Sequence, residues 1–370
     1  MSLKTLYNGY YSYVDNNSIR LEKNKTRAAE YISLLKRRNM YKKVEWTDQQ
    51  KREFDAYWRQ HYGRRISNKW HRIYQSINGQ FRLDYIPEIL YTTTIEYYLN
   101  DYRYAKVFAD KSLIETIAAN SNCVVPETVA VCSAGRFYDH KRSVVSREKI
   151  CNDVKSLKHD LVIKPTVDSS SGKNIKFIQK EELAHIEREL DGIGNDYIIQ
   201  YAIEPHTVFS ALNPSSINTL RVMTYILNDN IYHMPISCRM GSTNSKIDNI
   251  HAGGLVVGVE DTGRLLPTAY QLGYGDNDKK YTIHPLSGIQ FEQITLPCMT
   301  RVINAAYSAH AKLPRIGIVS WDFTVDKDEN PVLIEANIKS QSIWFPQIVH
   351  GKGAFEENTP VLLKLIRERK

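Results

Sequence analysis

Three side chains that carry oxygen atoms interrupt an apolar stretch near the end of the chain: Asp322, Glu335 and Asn337. Side chains two residues apart on a strand point to the same face, so Glu335 and Asn337 would lie together. If Val325 pairs with Val332 in a hairpin, Asp322 lies opposite Glu335 on that face. Two carboxylates and an amide oxygen suit Mg²⁺, which takes one or two carboxylates together with substrate phosphates. The spacing therefore predicts a magnesium site.

Charge gives this prediction a consequence that can be checked. In the absence of the ion, two carboxylates at short range disfavour each other's ionisation. Asn337 would add an oxygen ligand without a third negative charge. Lysines or arginines paired one to one with the three residues would instead indicate a structural salt-bridge cluster. A solvated hairpin face with ordinary acids is the other alternative.

The segments around these residues have the composition of a β-hairpin. Residues 316–325 and 332–336 are rich in β-branched and aromatic side chains, which favour strands. Residues 326–331 contain Asp, Asn and Pro, which favour a turn because Asp and Asn bond to nearby backbone and Pro restricts φ. The flanking sequence is too apolar for an exposed edge, so the polar side chains are expected to face a site.

A lysine at the end of another apolar strand predicts a second charged position. Residues 161–165 read Leu-Val-Ile-Lys-Pro, and Pro165 ends the strand directly after Lys164. Residues 168–173 then form a loop of Asp, Ser, Gly and Lys. Backbone N–H groups and hydroxyls in such a loop can close over phosphates. The residues expected to do so are Ser170, Ser171 and Gly172.

Two arginines on neighbouring apolar strands are the candidate catalytic residues. Arg221 begins one strand, and Arg239 lies on the next. A guanidinium in this position could stabilise the charge on a phosphoryl group during its transfer. A structural salt bridge is the alternative for Arg221.

Composition limits the possible classes of protein. The chain has 370 residues, 42% hydrophobic and 24% charged, which is typical of a globular protein with a sizeable core. It has no apolar run of the roughly 18 residues that a membrane-spanning helix needs, and its first residues do not resemble a signal peptide. The five cysteines are scattered without a CxxC pair, which favours free thiols over zinc or disulfides. Free thiols fit a reducing compartment, so a cytoplasmic location is expected.

The net charge of +8 is concentrated near the start of the chain. Residues 20–72 contain sixteen Lys and Arg against six acidic residues, so the remainder is close to neutral. Such a block can contact nucleic acid, an anionic membrane surface or an acidic polymer, or can be an ordinary solvated helical surface. No nucleic-acid-binding motif accompanies it, so no nucleic-acid partner is expected.

Periodicity predicts a mostly helical region followed by alternating helices and strands. Residues 18–105 are predicted to be helical, with apolar residues at near-helical spacing between 21 and 35. Residues 47–50 are predicted to form a capping box, and Gly63 is predicted to end the helix. The many Tyr and Trp residues up to position 100 are expected to be core. Strands alternate with helices from residue 106 onwards.

Three of these features together resemble the ATP-grasp enzymes. The order Asp322, Glu335, Asn337 resembles the Mg²⁺-binding end of that family, and the serine-glycine loop after Lys164 resembles its lid. The pattern SxNTxR at residues 216–221 is similar to that of the sugar-transfer associated subgroup. The resemblance implies an α+β fold in which two lobes sandwich ATP. It implies an N-terminal helical extension at 1–105 and lobes at 106–202 and 203–370.

The resemblance also implies roles for individual residues. Asp322, Glu335 and Asn337 would hold Mg²⁺ against the ATP phosphates. Lys111, with Lys106 as the alternative, would contact phosphate together with Lys164. The hinge between the lobes would read adenine and hold the ribose. Its implied adenine contacts are Gln200, Tyr201 and Ile203, and its ribose contact is either Glu204 or His206.

The function implied by the resemblance is that of an ATP- and Mg²⁺-dependent carboxylate–amine ligase. Such an enzyme would form an amide through an acylphosphate, on a sugar acid or saccharide used for cell-surface polysaccharide. Two alternatives remain: a kinase that phosphorylates a saccharide directly, and a polyanion-binding module without catalysis. The partner is expected to be a small or saccharide anion, with possible peripheral membrane contact through the basic block. After Asn337 the chain departs from the ligases, in the region that touches their acceptor.

Overall fold

The computed structural model describes residues 3–167, 174–243, 253–273 and 278–369. The serine-glycine loop at 168–173 lies outside these residues. The predictions for Ser170, Ser171 and Gly172 therefore stay predictions.

The chain divides into two compact units. One, here called the helical unit, contains residues 1–99 and 340–370, and the other, the two-sheet unit, contains residues 100–273 and 278–339. The expected N-terminal helical region is present within the first unit, and the expected α+β character is confirmed. The α-helices of the described residues are α1 Leu3–Lys36, α2 Arg38–Lys43, α3 Asp48–Tyr62, α4 Lys69–Asn78, α5 Glu88–Leu90, α6 Glu96–Leu99, α7 Tyr102–Phe108, α8 Ile114–Ala118, α9 Arg147–Lys155, α10 Ile186–Leu190, α11 Thr207–Leu212, α12 Met299–His310, α13 Trp344–His350 and α14 Thr359–Glu368.

Two antiparallel sheets make up the two-sheet unit. The first has the order β3-β2-β1-β6-β4-β5, and the second has the order β12-β11-β10-β9-β7-β13-β14, with β8 paired to β7. The strands are β1 Thr128–Ser133, β2 Arg136–Asp139, β3 Val144–Val145, β4 Leu161–Pro165, β5 Lys176–Ile178, β6 Tyr197–Tyr201, β7 Thr219–Leu227, β8 Asn230–His233, β9 Ile236–Met240, β10 Leu255–Val259, β11 Leu265–Gln271, β12 Lys279–Tyr281, β13 Ile318–Val325 and β14 Pro331–Asn337.

Helix α3 begins and ends where its sequence signals predict. The Thr47 hydroxyl accepts the N–H of Gln50 while the Gln50 side chain accepts the N–H of Thr47, which is the expected capping box. Gly63 ends the helix with φ of +80°, a conformation that glycine adopts at no steric cost. The aromatic residues nearby are core, as expected, since Phe54 and Trp58 are buried.

The long first helix includes residues that were expected to be helical, but the apolar side chains that predicted it are not packed. Leu21, Ile32 and Leu35 are 55–69% exposed. Among the apolar residues at 13–36, the part of this helix whose burial the structure describes, only Leu34 is buried. Helical periodicity therefore identified the helix but not the face that packs.

The hairpin β13–β14 forms the edge of the second sheet and is almost entirely buried. Asp322 pairs with Glu335, as predicted, but Val325 pairs with Pro331 and not with Val332. A register shift between Asp322 and Phe323 causes the difference, because Ile334 is an extra residue on β14 without a partner across the ladder. This β-bulge brings Glu335 to the polar face of the sheet.

The other face of the hairpin lies in the larger hydrophobic core. Trp321 and Phe323 of β13 pack there together with Leu333 of β14, against Val302 and Ala306 of α12. Strand alternation therefore leaves residues 320 and 322 on the opposite face. Packing on one side positions the polar side chains on the other.

All five cysteines are free thiols, as expected from their spacing. Within the described ranges, no helix is both long and apolar enough to cross a membrane.

Candidate active site

A row of polar side chains crosses four adjacent strands on one face of the second sheet. The register pairs Glu335 with Asp322, Asp322 with Arg221, and Arg221 with Ser237. Because directly paired residues point to the same face, the four side chains stand side by side. The strands thus bring together residues that are up to 114 positions apart in the chain.

Asp322 is the centre of this cluster. Its two carboxylate oxygens accept hydrogen bonds from Nε and Nη2 of Arg221, each at 2.9 Å. Nη2 of Arg239 lies 3.0 Å from Oδ2, and Nδ2 of Asn337 lies 3.3 Å from the same oxygen. The carboxylate is therefore shared by two guanidinium groups and an amide.

These contacts determine the ionisation of Asp322. Burial by itself would raise its pKa, but the charges of Arg221 and Arg239 outweigh burial and hold the pKa below its ordinary value. The expectation that the two neighbouring carboxylates suppress each other's ionisation was therefore wrong for Asp322. Both arginines reach the same carboxylate, which their positions in the sequence did not indicate.

Two lysines approach Glu335 from the first sheet and its preceding segment. Nζ of Lys111 lies 3.2 Å from Oε1 of Glu335. Nζ of Lys164 lies 3.4 Å from the backbone oxygen of Ile334, the bulge residue that has no partner residue across the ladder. Burial lowers the pKa of Lys164 to about 8; nearby Lys111 acts in the same direction, and Glu335 opposes them. Lys106, the alternative to Lys111, is exposed and lies over the ring of Tyr102.

Four cationic side chains thus face two carboxylates, which leaves two positive charges in excess. The pairing is not one to one, because two arginines share Asp322 while two lysines lie near Glu335. All six charged groups are largely withdrawn from solvent, where interactions between charges are strong. Such a cluster is suited to binding a multiply charged anion.

The motif at 216–221 has two parts with different tasks. Asn218 adopts φ of +53° and donates to the backbone oxygens of Phe209 and Asn213, so it fixes the turn before β7. Thr219 accepts hydrogen bonds from Nε and Nη2 of Arg239, at 3.2 and 2.9 Å. Thr219 was not among the predicted site residues, although its place in the motif was an available signal.

A cavity of about 240 Å³ borders the segment expected to bind the nucleotide base. Tyr201, Ile203 and Glu204 line it, together with residues from 124–127 and from the hairpin turn. Gln200 does not line it; its side chain donates to the backbone oxygen of Pro126 at 3.0 Å. The structure thus brings three of the expected nucleotide contacts to one cavity.

The two ribose candidates have different surroundings. Glu204 borders the cavity and pairs with Lys327 at 2.7 Å, while both side chains remain largely exposed. His206 is occupied at the start of α11, where its Nδ1 accepts the N–H of Val208 at 3.2 Å. Glu204 is therefore the better placed of the two.

The donor set can be compared with the needs of Mg²⁺. Within the part of the chain that the structure describes, no group of three or more His, Cys, Asp or Glu side chains is arranged as a metal site. Asp322, Glu335 and Asn337 nonetheless bring two carboxylates and an amide to one face. Oxygen ligands of this kind fit Mg²⁺ when phosphate oxygens complete the shell.

Comparison with known proteins agrees with this fold. The profile of the sugar-transfer associated ATP-grasp family matches residues 91–361, well over half of the chain. The chain belongs to the sugar-transfer associated ATP-grasp family. The expected ATP-grasp fold is thereby confirmed, and the chain falls within the expected ATP-grasp class of enzymes.

Among curated proteins, none matches the chain in sequence. Solved structures that resemble it include the D-cycloserine synthetase DcsG, 13% identical over 72% of this chain and 71% of that one, with a TM-score of 0.40. They also include the VanG D-Ala:D-Ser ligase from Enterococcus faecalis, 14% identical over 72% and 63%, with a TM-score of 0.42. An N5-carboxyaminoimidazole synthetase from Staphylococcus aureus complexed with ADP is 10% identical over 66% and 48%, with a TM-score of 0.40. The chain spans about half to seven tenths of the length of these structures.

Proposed function

We propose that the protein is an ATP- and Mg²⁺-dependent carboxylate–amine ligase that forms an amide through an acylphosphate. The observation that carries the proposal is the cluster around Asp322 and Glu335, with its excess of positive charge and its three oxygen-bearing ligands on one sheet face. ATP-grasp enzymes in general use ATP and Mg²⁺. A triphosphate carries the multiple negative charge that this cluster would bind.

The cationic side chains and the oxygen-bearing side chains of the cluster would contribute differently to the reaction. Lys111 and Lys164 would compensate phosphate charge, and the guanidinium of Arg239 would stabilise the charge that develops on the transferred γ-phosphoryl group. Arg221 holds Asp322 in place through its two hydrogen bonds. Asp322, Glu335 and Asn337 would hold Mg²⁺, which neutralises phosphate charge.

Both steps of the reaction balance. A carboxylate oxygen of the acid forms a bond to the γ-phosphorus, the bond to the ADP oxygen breaks, and ADP leaves with the electron pair. The amine then attacks the acyl carbon, inorganic phosphate leaves, and the amine loses a proton. Catalysis of this kind depends mainly on positioning and charge neutralisation.

A sugar acid is the substrate class that we propose for the carboxylate. The family is associated with sugar transfer, which supports a polysaccharide context. The basic block, residues 20–72, would suit an anionic saccharide or an anionic membrane surface. A location in the cytoplasm, where ATP is available, is part of the same proposal.

A screen for ADP release over uronic acids crossed with amino acids tests the proposal. We expect ADP to appear with a particular acid and to rise further with an amine. Release of ADP with a phosphorylated saccharide and no amide would favour a kinase. Polyanion binding without any nucleotide turnover would exclude both enzymes.

A further inference from the structure

Ser320 lies next to the candidate magnesium ligands, and sequence analysis gave it no role. It precedes Asp322 by two residues on β13, so the two side chains point to the same face. The register pairs Ser320 with Met223 on one side and with Asn337 on the other. Its hydroxyl therefore belongs to the polar face and not to the core behind it.

The Ser320 hydroxyl is buried without a hydrogen bond. The residue is 1% exposed, and its Oγ has no partner among the residues that the structure describes. A buried polar group without a partner costs free energy comparable to a lost hydrogen bond, so most such groups in proteins are bonded. Thr224 on the core face shows the usual arrangement, since its Oγ1 contacts His310 Nδ1 at 2.6 Å and Trp321 Nε1 at 2.7 Å. The contrast points to a ligand for Ser320.

The cavity, Glu335 and Ser320 follow one another along the hairpin. Val332 borders the cavity beside the hinge, and Glu335 lies three residues further along β14, or about 10 Å at the usual rise of a strand. Asn337 and its partner Ser320 lie about 7 Å further still. A nucleotide with its base at the cavity and its phosphates at Glu335 would have Ser320 beyond its last phosphate. The group that accepts the phosphoryl must approach from that side.

We propose that Ser320 binds the phosphoryl acceptor by donating its Oγ hydrogen to a carboxylate oxygen of that substrate. The inference rests on the proposed function, and it names the substrate contact within that site. The bonded oxygen is the one that attacks the γ-phosphorus: one of its lone pairs accepts the hydrogen bond while another forms the new bond, so Ser320 keeps its proton and only orients the acid. The excess positive charge around Asp322 favours a carboxylate in the same place.

A transition-state mimic tests the contact without knowledge of the acid. Orthovanadate with Mg-ADP adopts a trigonal bipyramid in which one apical oxygen takes the place of the attacking oxygen. The affinity of the full chain for Mg-ADP would be measured with and without orthovanadate, by displacement of a fluorescent ADP analogue. We expect orthovanadate to tighten binding to the natural protein, and Ser320→Ala to lose about tenfold or more of that gain. Affinity for Mg-ADP alone should not change.

Stability separates a ligand contact from a structural one. Because the hydroxyl has no described partner, Ser320→Ala should unfold at the same temperature as the natural protein or slightly higher. Thr359→Val is a matched control, since its hydroxyl is also buried without a partner in the described residues but lies in the helical unit. It should change neither stability nor the orthovanadate effect. Ser320→Cys keeps a weak donor of similar size and should retain part of the effect.

The orthovanadate and stability measurements test phosphoryl transfer and the role of Ser320 separately. If the natural protein shows no tightening by orthovanadate, phosphoryl transfer at this site fails, and the role of Ser320 fails with it. If orthovanadate tightens binding equally in the natural protein and in Ser320→Ala, the ligase proposal stands and the role of Ser320 is overturned. A drop of several degrees in the unfolding temperature of Ser320→Ala would show that the hydroxyl has a partner within the chain, and would also overturn it.

Discussion

Arg221 and Asp322 lie directly opposite each other on adjacent strands and form a two-bond ion pair in a largely buried position. Removing one member of such a pair leaves a buried charge without compensation. We expect Asp322→Asn to lower the free energy of unfolding by about 3–5 kcal/mol. Asp101→Asn is the control, because asparagine can replace Asp101 as a helix cap. It weakens only the exposed ion pairs of Asp101 with Arg103 and Arg315, which should cost about 1 kcal/mol or less. Equal losses in the two variants would contradict this account.

The low pKa of the Asp322 carboxylate predicts how the free energy of unfolding changes with pH. The pKa of Asp322 is held below its ordinary value of 3.8, so its contribution is complete above that value. It is lost as pH falls further and the folded carboxylate takes up a proton. Denaturant unfolding measured between pH 5 and 2 should therefore show a shallower decline for Asp322→Asn than for the natural protein. Parallel curves would show that other carboxylates dominate.

Lys164 should make nucleotide binding sensitive to mild alkali. Its pKa is about 8, so the ammonium that would meet phosphate is lost as pH rises above that value. Affinity for ATP should fall by up to about tenfold per pH unit there, while Lys164→Arg stays charged and should bind evenly to pH 9.5. Isothermal titration with ATP from pH 7 to 9.5 provides the measurement, and a flat natural profile would exclude Lys164 from the phosphate site.

Lys164 should make the free energy of unfolding rise with pH over the range in which the affinity for ATP falls. Between pH 8 and its ordinary pKa of 10.5, the unfolded chain holds the Lys164 proton and the folded chain does not. Stability from this group therefore rises with pH in that window. Lys164→Met should lack the rise and should be at least as stable as the natural protein at pH 7, because a buried charge has been removed. Unfolding of the methionine variant at pH 7 would mean that the lysine is structural.

Glu335 should matter more for metal binding than for folding. Glu335 is 29% exposed, against 6% for Asp322, so Glu335→Gln should cost less stability than Asp322→Asn. Binding of Mn²⁺ in the presence of ADP, followed by electron paramagnetic resonance, should weaken at least tenfold if Glu335 is a ligand. Glu329→Gln, in the exposed turn of the same hairpin, removes a pair of equal length with Arg301 and should leave Mn²⁺ binding unchanged.

The two ribose candidates can be told apart by what each variant loses. Glu204→Ala should abolish most of the preference for ATP over 2′,3′-dideoxy-ATP, because the residue would no longer meet the ribose hydroxyls. His206→Ala should keep that preference but lose about 1 kcal/mol of stability, since it removes a helix cap. Competitive binding and thermal unfolding of both variants give the answer. A reversed pattern would assign the ribose to His206.

Local signals in the sequence predicted local structure well. The capping box at Thr47, the stop at Gly63 and the hairpin turn all depend on residues within a few positions of one another, and each is present. The pairing of Asp322 with Glu335 was predicted from a register that is one residue off at the turn, and the bulge at Ile334 compensates for that difference.

Long-range relationships could not be predicted in the same way. Arg221 and Arg239 are 101 and 83 positions from Asp322, and no local pattern indicates that both reach one carboxylate. The exposed Leu21 and Leu35 show the same limit for packing, because periodicity identifies a helix without identifying its neighbour. The candidate site residues could be identified in the sequence, but which charged groups contact one another is determined by the pairing of the strands in the folded sheet.

The bulge at Ile334 bears on how this hairpin tolerates changes of length. Because Phe323 pairs with Leu333 and Asp322 with Glu335, loss of Ile334 would leave Glu335 opposite Asp322 on the polar face and would remove only the bulge and the carbonyl that Lys164 contacts. Insertion of a second residue there would move Glu335 opposite Ser320 unless the bulge widened. Substitutions of Ile334 that keep its backbone should be tolerated, since Lys164 contacts only its carbonyl oxygen. Natural variation at this point of the chain should therefore occur as change or loss of residue 334 and not as an insertion.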